Sequence, residues 1–154
     1  PHYRRFLELD PQNPFANWAW TYVLLRNGRI DEAAEVVRKM NSEFAGSALT
    51  QLGTALFHGV SGERDAARNA VTDELRAAGQ HSELFSRELT HCLALAGETD
   101  EALQWLENTV RIGNVNYPFW AQHNDWVDPI RGSRRFYSLM SDVEREWRSL
   151  TSNS

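Results

Sequence analysis

Apolar positions along the chain recur with a helical period, and short polar phrases punctuate them at regular intervals. Tyr3, Phe6 and Leu7 share one helical stripe that closes in LELDP, with Pro11 just beyond it. NPFANWAW then opens a fresh helix, predicted over Phe15–Asn27, and a second is predicted over Ile30–Asn41. Between them stands GRIDEA at 28–33, and the phrase returns as GERDAA at 62–67 and GETDEA at 97–102, at intervals of 34 and 35 residues. Each glycine falls where one helix must stop, because glycine accepts the left-handed conformation that ends it. The acidic residues after it (Asp31, Glu32; Glu63, Asp65; Glu98, Asp100) enter the first turn of the next helix, where negative charge meets the partial positive charge of the N-terminus. Ala33, Ala67 and Ala102 hold the same place in each second helix, where the two helices of a hairpin approach closely. Val37, Val71 and Leu106 follow one turn later on the same face. A last helix is predicted from Arg134 to Leu150, capped by Ser133, with Phe136, Leu139, Met140, Val143 and Trp147 on one inward face that seals the end of the array.

A helix-turn-helix unit repeating near 34 residues resembles the tetratricopeptide repeat. The glycines and alanines carry the likeness; in the first helices Trp20, Thr54 and Leu89 share one slot, and Leu24, His58 and Leu93 another. The tail, GNVNYPFWAQHNDWVDPIRGSRRFYSLMSDVEREW at 113–147, is similar to the closing segment of repeat regions in large bacterial regulatory proteins. Its marks are Asn116–Phe119, the turn Asp128–Gly132 and Arg135–Phe136; Ser133–Arg134 stands where such segments usually carry Asp-Pro. The resemblance implies an all-α, right-handed helical solenoid with a C-terminal capping helix. The organisation expected from it is the end of a truncated repeat at 1–13, repeats at 14–47, 48–82 and 83–116, and a capping segment at 117–154. It further implies a signalling or scaffolding module of a larger regulator linked to a kinase, a cyclase-like or a winged-helix domain. Pro1 in place of methionine fits a piece of a longer chain.

Composition narrows the field of functions. The chain of 154 residues is 42% hydrophobic and 24% charged, with net charge −5, so it lacks the basic surface a nucleic acid requires. No apolar run approaches the roughly 20 residues that span a bilayer. Cys92 is the single cysteine, which excludes an internal disulfide and a cysteine zinc cluster, and fits a reducing, cytoplasmic compartment.

Chemistry is sparse. His123, Asp125 and Asp128 are the nearest approach to a metal cluster, but both carboxylates have turn and capping roles to fill. His58, His81 and His91 share no carboxylate, and Cys92 sits among leucines as a small hydrophobe. With no phosphate loop and no nucleophile motif, no catalytic residue, metal or cofactor is expected. The six tryptophans are more informative. In the implied fold the first helices line a concave face, bringing together Phe15, Trp18 and Tyr22, then Leu49, Leu52 and Leu56, then Leu84, Arg87 and His91. The expected partner is a protein segment with apolar anchors and an acidic end facing Arg87 and His91. The alternative is a structural, self-associating element of a larger regulator, with this face covered by the C-terminal helix, by upstream repeats or by a second copy.

Overall fold

The computed structural model describes Arg5 and residues 9–152. Tyr3, Phe6 and Leu7 fall outside the described residues. Those described are all-helical, without strands. In chain order the helices are α1 (Pro14–Arg26), α2 (Ile30–Glu43), α3 (Ala48–Val60), α4 (Arg64–Ala70), α5 (Asp73–Gly79), α6 (Glu83–Ala96), α7 (Thr99–Arg111), α8 (Asp128–Arg131) and α9 (Arg134–Thr151). Between α7 and α8 the chain makes a wide π-type turn at Phe119–His123 and a tight one at Asp125–Val127.

Local chemistry sets these boundaries. Asn13 caps α1 by accepting from the Phe15 and Ala16 amides, at 2.9 and 3.3 Å, and Pro14 occupies the first turn. At the far end Gly28 turns left-handed, with φ 67°, as do Gly62 at 80° and Gly97 at 84°. The hydrogen bonds at the three glycines are the same. Arg29 N–H reaches Leu24 O, Glu63 N–H reaches His58 O and Glu98 N–H reaches Leu93 O, each at 2.9 Å, while each glycine N–H bonds three residues back. This is the Schellman closure. Gly113, at φ 115°, ends α7 in the same way through Asn114 N–H to Thr109 O at 3.1 Å.

Closure at the glycine brings the next helix back against the first. Helix α1 packs on α2, α3 on α4, and α6 on α7, and the first helices meet in succession, α1 on α3 and α3 on α6. Ala33, Ala67 and Ala102 are all fully buried at these crossings. Around them runs one continuous core that reaches from Trp18 and Leu24 through Leu52, Leu56, Leu89 and Leu106 to Phe136 and Val143. Helix α9, capped by Ser133 through the Phe136 amide at 3.0 Å, packs on α7 and α8. Of its inward set, Phe136, Met140 and Val143 are buried, whereas Leu139 and Trp147 are half-buried, the Trp147 ring lying beside Tyr117.

The second helix of the middle hairpin differs from the sequence pattern, because it is broken in two. Val71 ends α4 in an extended conformation, and Thr72 caps α5 by accepting from Leu75 N–H at 3.2 Å. The Thr72 hydroxyl also donates to Gln51 Oε1 at 2.7 Å, tying the break to α3. The new direction brings Gly79 against α6 and α7. A methyl group there would lie 2.5 Å from Leu89 and 2.7 Å from the Trp105 ring. Val71 is buried, as its repeat position requires, but it sits at the end of a helix rather than along one.

The alanine crossings are open to test. Ala67→Leu should lower stability by about 1–3 kcal/mol in chemical denaturation, because a close helix crossing has no room for the added carbons. Arg38→Leu, on the exposed side of α2, should change it by less than about 0.5 kcal/mol. Equal losses would mean that the alanine is not the point of closest approach.

Candidate functional site

Phe15, Trp18 and Tyr22 stand three and four residues apart on α1 and so share a face. Their rings are tilted against one another at centroid distances of 5.5 and 5.9 Å. With Leu84 and Arg87 of α6, and Phe119 of the tail, they wall a cavity of about 300 Å³; Ala19 lies at its base. Phe15 is 43% exposed at this site, while Trp18 is only 5% exposed and is as much core as wall.

The other residues expected on this face lie deeper. Leu52, Leu56 and His91 are fully buried, and Leu49 is half-buried against the core. Leu52, Leu56 and His91 present no surface to a partner, and over His91 it is the chain's own tail that folds. Trp126 meets Tyr22 edge-on at 5.2 Å and His91 edge-on at 5.4 Å. Trp120 lies 5.8 Å from the same imidazole and is itself fully buried, with Phe119 packed on it at 4.9 Å. The ring contacts therefore continue from Phe15 through α1, the tail and α6 to Phe119.

A buried polar set fastens the tail. His91 Nδ1 bonds Glu88 Oε2 at 2.9 Å, and its Nε2 bonds the Asn124 side-chain amide nitrogen at 2.8 Å; all three residues are fully buried. The Asn124 backbone carbonyl accepts from Arg131 at 2.9 Å. The Trp120 indole N–H donates to Asn114 Oδ1 at 3.1 Å, and the Asn114 amide donates to Glu83 at 2.6 Å. Burial by itself pushes the Glu88 carboxyl up, but the His91 ring and the Arg87 guanidinium beside it outweigh that and hold it below its ordinary range.

Arg87 corrects an expectation about charge. Its guanidinium donates to Glu88 at 3.0 Å and to Glu83 at 3.1 Å, so two carboxylates already answer one cation. The next cation on α1, Arg26, is paired with Asp125 and stacked 4.3 Å over the Trp126 ring. Neither this face nor buried His91 offers an open positive charge to an acidic ligand.

The remaining chemical candidates are engaged elsewhere. Asp125 pairs with Arg26, Asp128 pairs with Arg131 at 2.6 Å, and His58 bonds Glu63. Among the described residues no three His, Cys, Asp or Glu side chains stand close enough to share a metal ion. Cys92 is fully buried, and burial raises its thiol well above the ordinary value, so it is not poised as a nucleophile. Among the described residues no helix is long and apolar enough to cross a membrane.

The residues that sequence reasoning missed are Phe119, Trp120, Asn124 and Trp126, together with Glu88. The signals were present: an aromatic-rich stretch without helical period at 117–126, and an acid, Glu88, three residues before His91 and so on the same helical face.

Glu88 sets a pH dependence whose sign follows from the lowered carboxyl. Its stabilising contribution is fully present above the ordinary value of 4.5 and is lost as pH falls through the lower value of the folded state. Glu88→Gln should cost about 3 kcal/mol at neutral pH, because it removes one partner of a buried charged set. The gap between the two proteins should narrow as denaturation is repeated below pH 4.5. A gap that stayed constant down to pH 3 would show that Glu88 is not the linked group.

Comparison with known proteins found no family model, no curated protein and no solved structure that matches this chain, so the evidence for function is the geometry of the site.

Proposed function

We propose that the chain is a tetratricopeptide-like solenoid that acts as a protein-interaction module, taking the apolar anchor of a partner segment into the cavity on α1. The solenoid reading is supported by three glycine closures of one geometry, by buried alanines at three equivalent crossings, and by first helices that meet in chain order. The broken α4–α5 helix is the departure from a regular repeat. Binding, rather than catalysis, suits a site whose one charged side chain, Arg87, is engaged in structural pairs. The sensory or scaffolding part of a larger bacterial regulator is the setting in which such a module belongs.

The observation that carries this reading is Phe15. A phenylalanine 43% exposed at the edge of an apolar cavity costs solvation free energy unless something covers it. The cavity lies at the small end of ligand sites, a size suited to one anchoring side chain. Because Arg87 is already answered by Glu83 and Glu88, recognition rests on the apolar anchor rather than on an acidic end.

A second reading rests on the same exposed ring, with a second copy of the chain as the cover. Tyr137 at 68% and Leu150 at 57% exposure, both on α9, are further apolar side chains open to such a contact.

Selection of binding segments from a displayed peptide library, using the whole chain as bait, tests the proposal. Selected segments should carry an apolar anchor, and Phe15→Ala should weaken them by about 2 kcal/mol, some thirtyfold, with an unchanged helical circular dichroism spectrum. Phe15 is a cleaner probe than Trp18, whose removal from the core would cost about 3–5 kcal/mol of stability by itself. Binding unaffected by Phe15→Ala would remove this face as the working surface. A dimer seen by light scattering and lost in Phe15→Ala would favour self-association.

A further inference from the structure

The wall of the α1 cavity restricts what can enter it. Arg87 is the charged side chain in that wall, and it is held between Glu83 and Glu88. A cationic ligand would be placed against the guanidinium. An anionic one would have to displace a carboxylate that is already bonded, and Glu88 is fully buried where it stands. Arg26 is likewise held by Asp125. The charges around this face are paired among themselves, so the complementary ligand is neutral.

The chain's own tail shows how this face is filled. Where the tail crosses α1 and α6 it does so with rings, and the rings meet edge to face: Tyr22 with Trp126 at 78°, His91 with Trp126 at 75°, and Phe119 with Trp120 at 71°. Such pairs bring the positive edge of one ring to the negative face of the next and gain beyond simple burial. The cavity continues this covered stretch directly, because Phe119 of the tail and Tyr22 of α1 belong to both. Four of its lining residues, Phe15, Trp18, Tyr22 and Phe119, are aromatic, and its volume is about 300 Å³.

We infer that the cavity takes a single uncharged aromatic side chain from the partner segment, which adds one more ring to the series the tail has laid down. This rests on the proposed partner-binding function and narrows it to one class of anchor.

The whole chain, labelled with nitrogen-15, would be titrated by nuclear magnetic resonance with four probes of similar size: benzyl alcohol, cyclohexylmethanol, benzylamine and benzoate. Benzyl alcohol should shift the Trp18 indole and the Tyr22 and Leu84 amides, and should bind at least fivefold more tightly than each of the other three. Leu84→Trp, which fills the cavity from its half-buried wall, should abolish those shifts. Should that variant fold poorly, Phe15→Ala should weaken benzyl alcohol at least threefold at full helicity. Benzylamine or benzoate binding as well as benzyl alcohol would overturn the neutral requirement, and cyclohexylmethanol binding as well would overturn the aromatic one. If no probe shifts these signals while library-selected segments still depend on Phe15, the anchor class is wrong and the partner-binding function stands. If selected segments also ignore Phe15, both fall.

Discussion

The fold depends on how the first helix of each pair ends. At Gly28, Gly62 and Gly97 the backbone turns left-handed, and the next residue donates back across the turn at 2.9 Å. A side chain at such a position costs roughly 1–2 kcal/mol, which is why glycine recurs while the residues around it change. The closure reverses the chain and brings an alanine to the crossing five residues later. Because backbone bonds fix the turn, Arg29, Glu63 and Glu98 can each begin the following helix without a side-chain cap. Gly113 makes the same turn but leads into the tail, because Asn114 is bonded to Glu83 and to Trp120.

The tail explains why a charged group lies inside a small helical protein. Burying Glu88 beside His91 costs solvation that a leucine would not, and buried ion pairs are often replaceable by apolar residues without loss of stability. What an apolar contact lacks is direction. The His91 ring has two bonded edges, one toward Glu88 on its own helix and one toward Asn124 on the tail. The Asn124 backbone carbonyl accepts in turn from Arg131, and Arg131 also reaches the Ala121 carbonyl. These bonds fix the register in which Trp120 and Trp126 settle on α6, a precision that rings alone would not supply.

Much of this architecture is legible in the sequence, and the reason differs from element to element. The glycine phrases are local signals, so the helix ends at 28, 62 and 97 and the buried alanines follow from a few adjacent residues. The closing helix is equally clear, with Ser133 as its cap and the spacing of Phe136, Met140 and Val143 as its buried face. The break between α4 and α5 is not legible, because it depends on a hydroxyl of Thr72 reaching Gln51, 21 residues away. The site is legible by half. Phe15, Trp18 and Tyr22 follow from helical spacing, and Leu84 and Arg87 from repeat register, but Phe119 joins them only through the tail. Burial of Leu52, Leu56 and His91 is a tertiary event, and at His91 it is imposed by a segment without periodicity.

Neighbouring residues of α1 differ in how far the core claims them. Trp18 is nearly enclosed, with Met40 and Gly53 in its surroundings, and serves the core first. Tyr22 is committed to Trp126, whose other contact is His91 and hence the buried polar set. Phe15, one turn nearer the start of the helix, contacts Trp18 and faces Phe119 of the tail only across the cavity. It is the one member of the stripe that is exposed, at 43%. The tail takes up the part of this face that would otherwise need a partner for stability, and leaves at Phe15 a part that the fold can hold without one. The end of such a stripe can be covered or left open without disturbing the core, because Tyr22 behind it is already fixed by the chain's own tail.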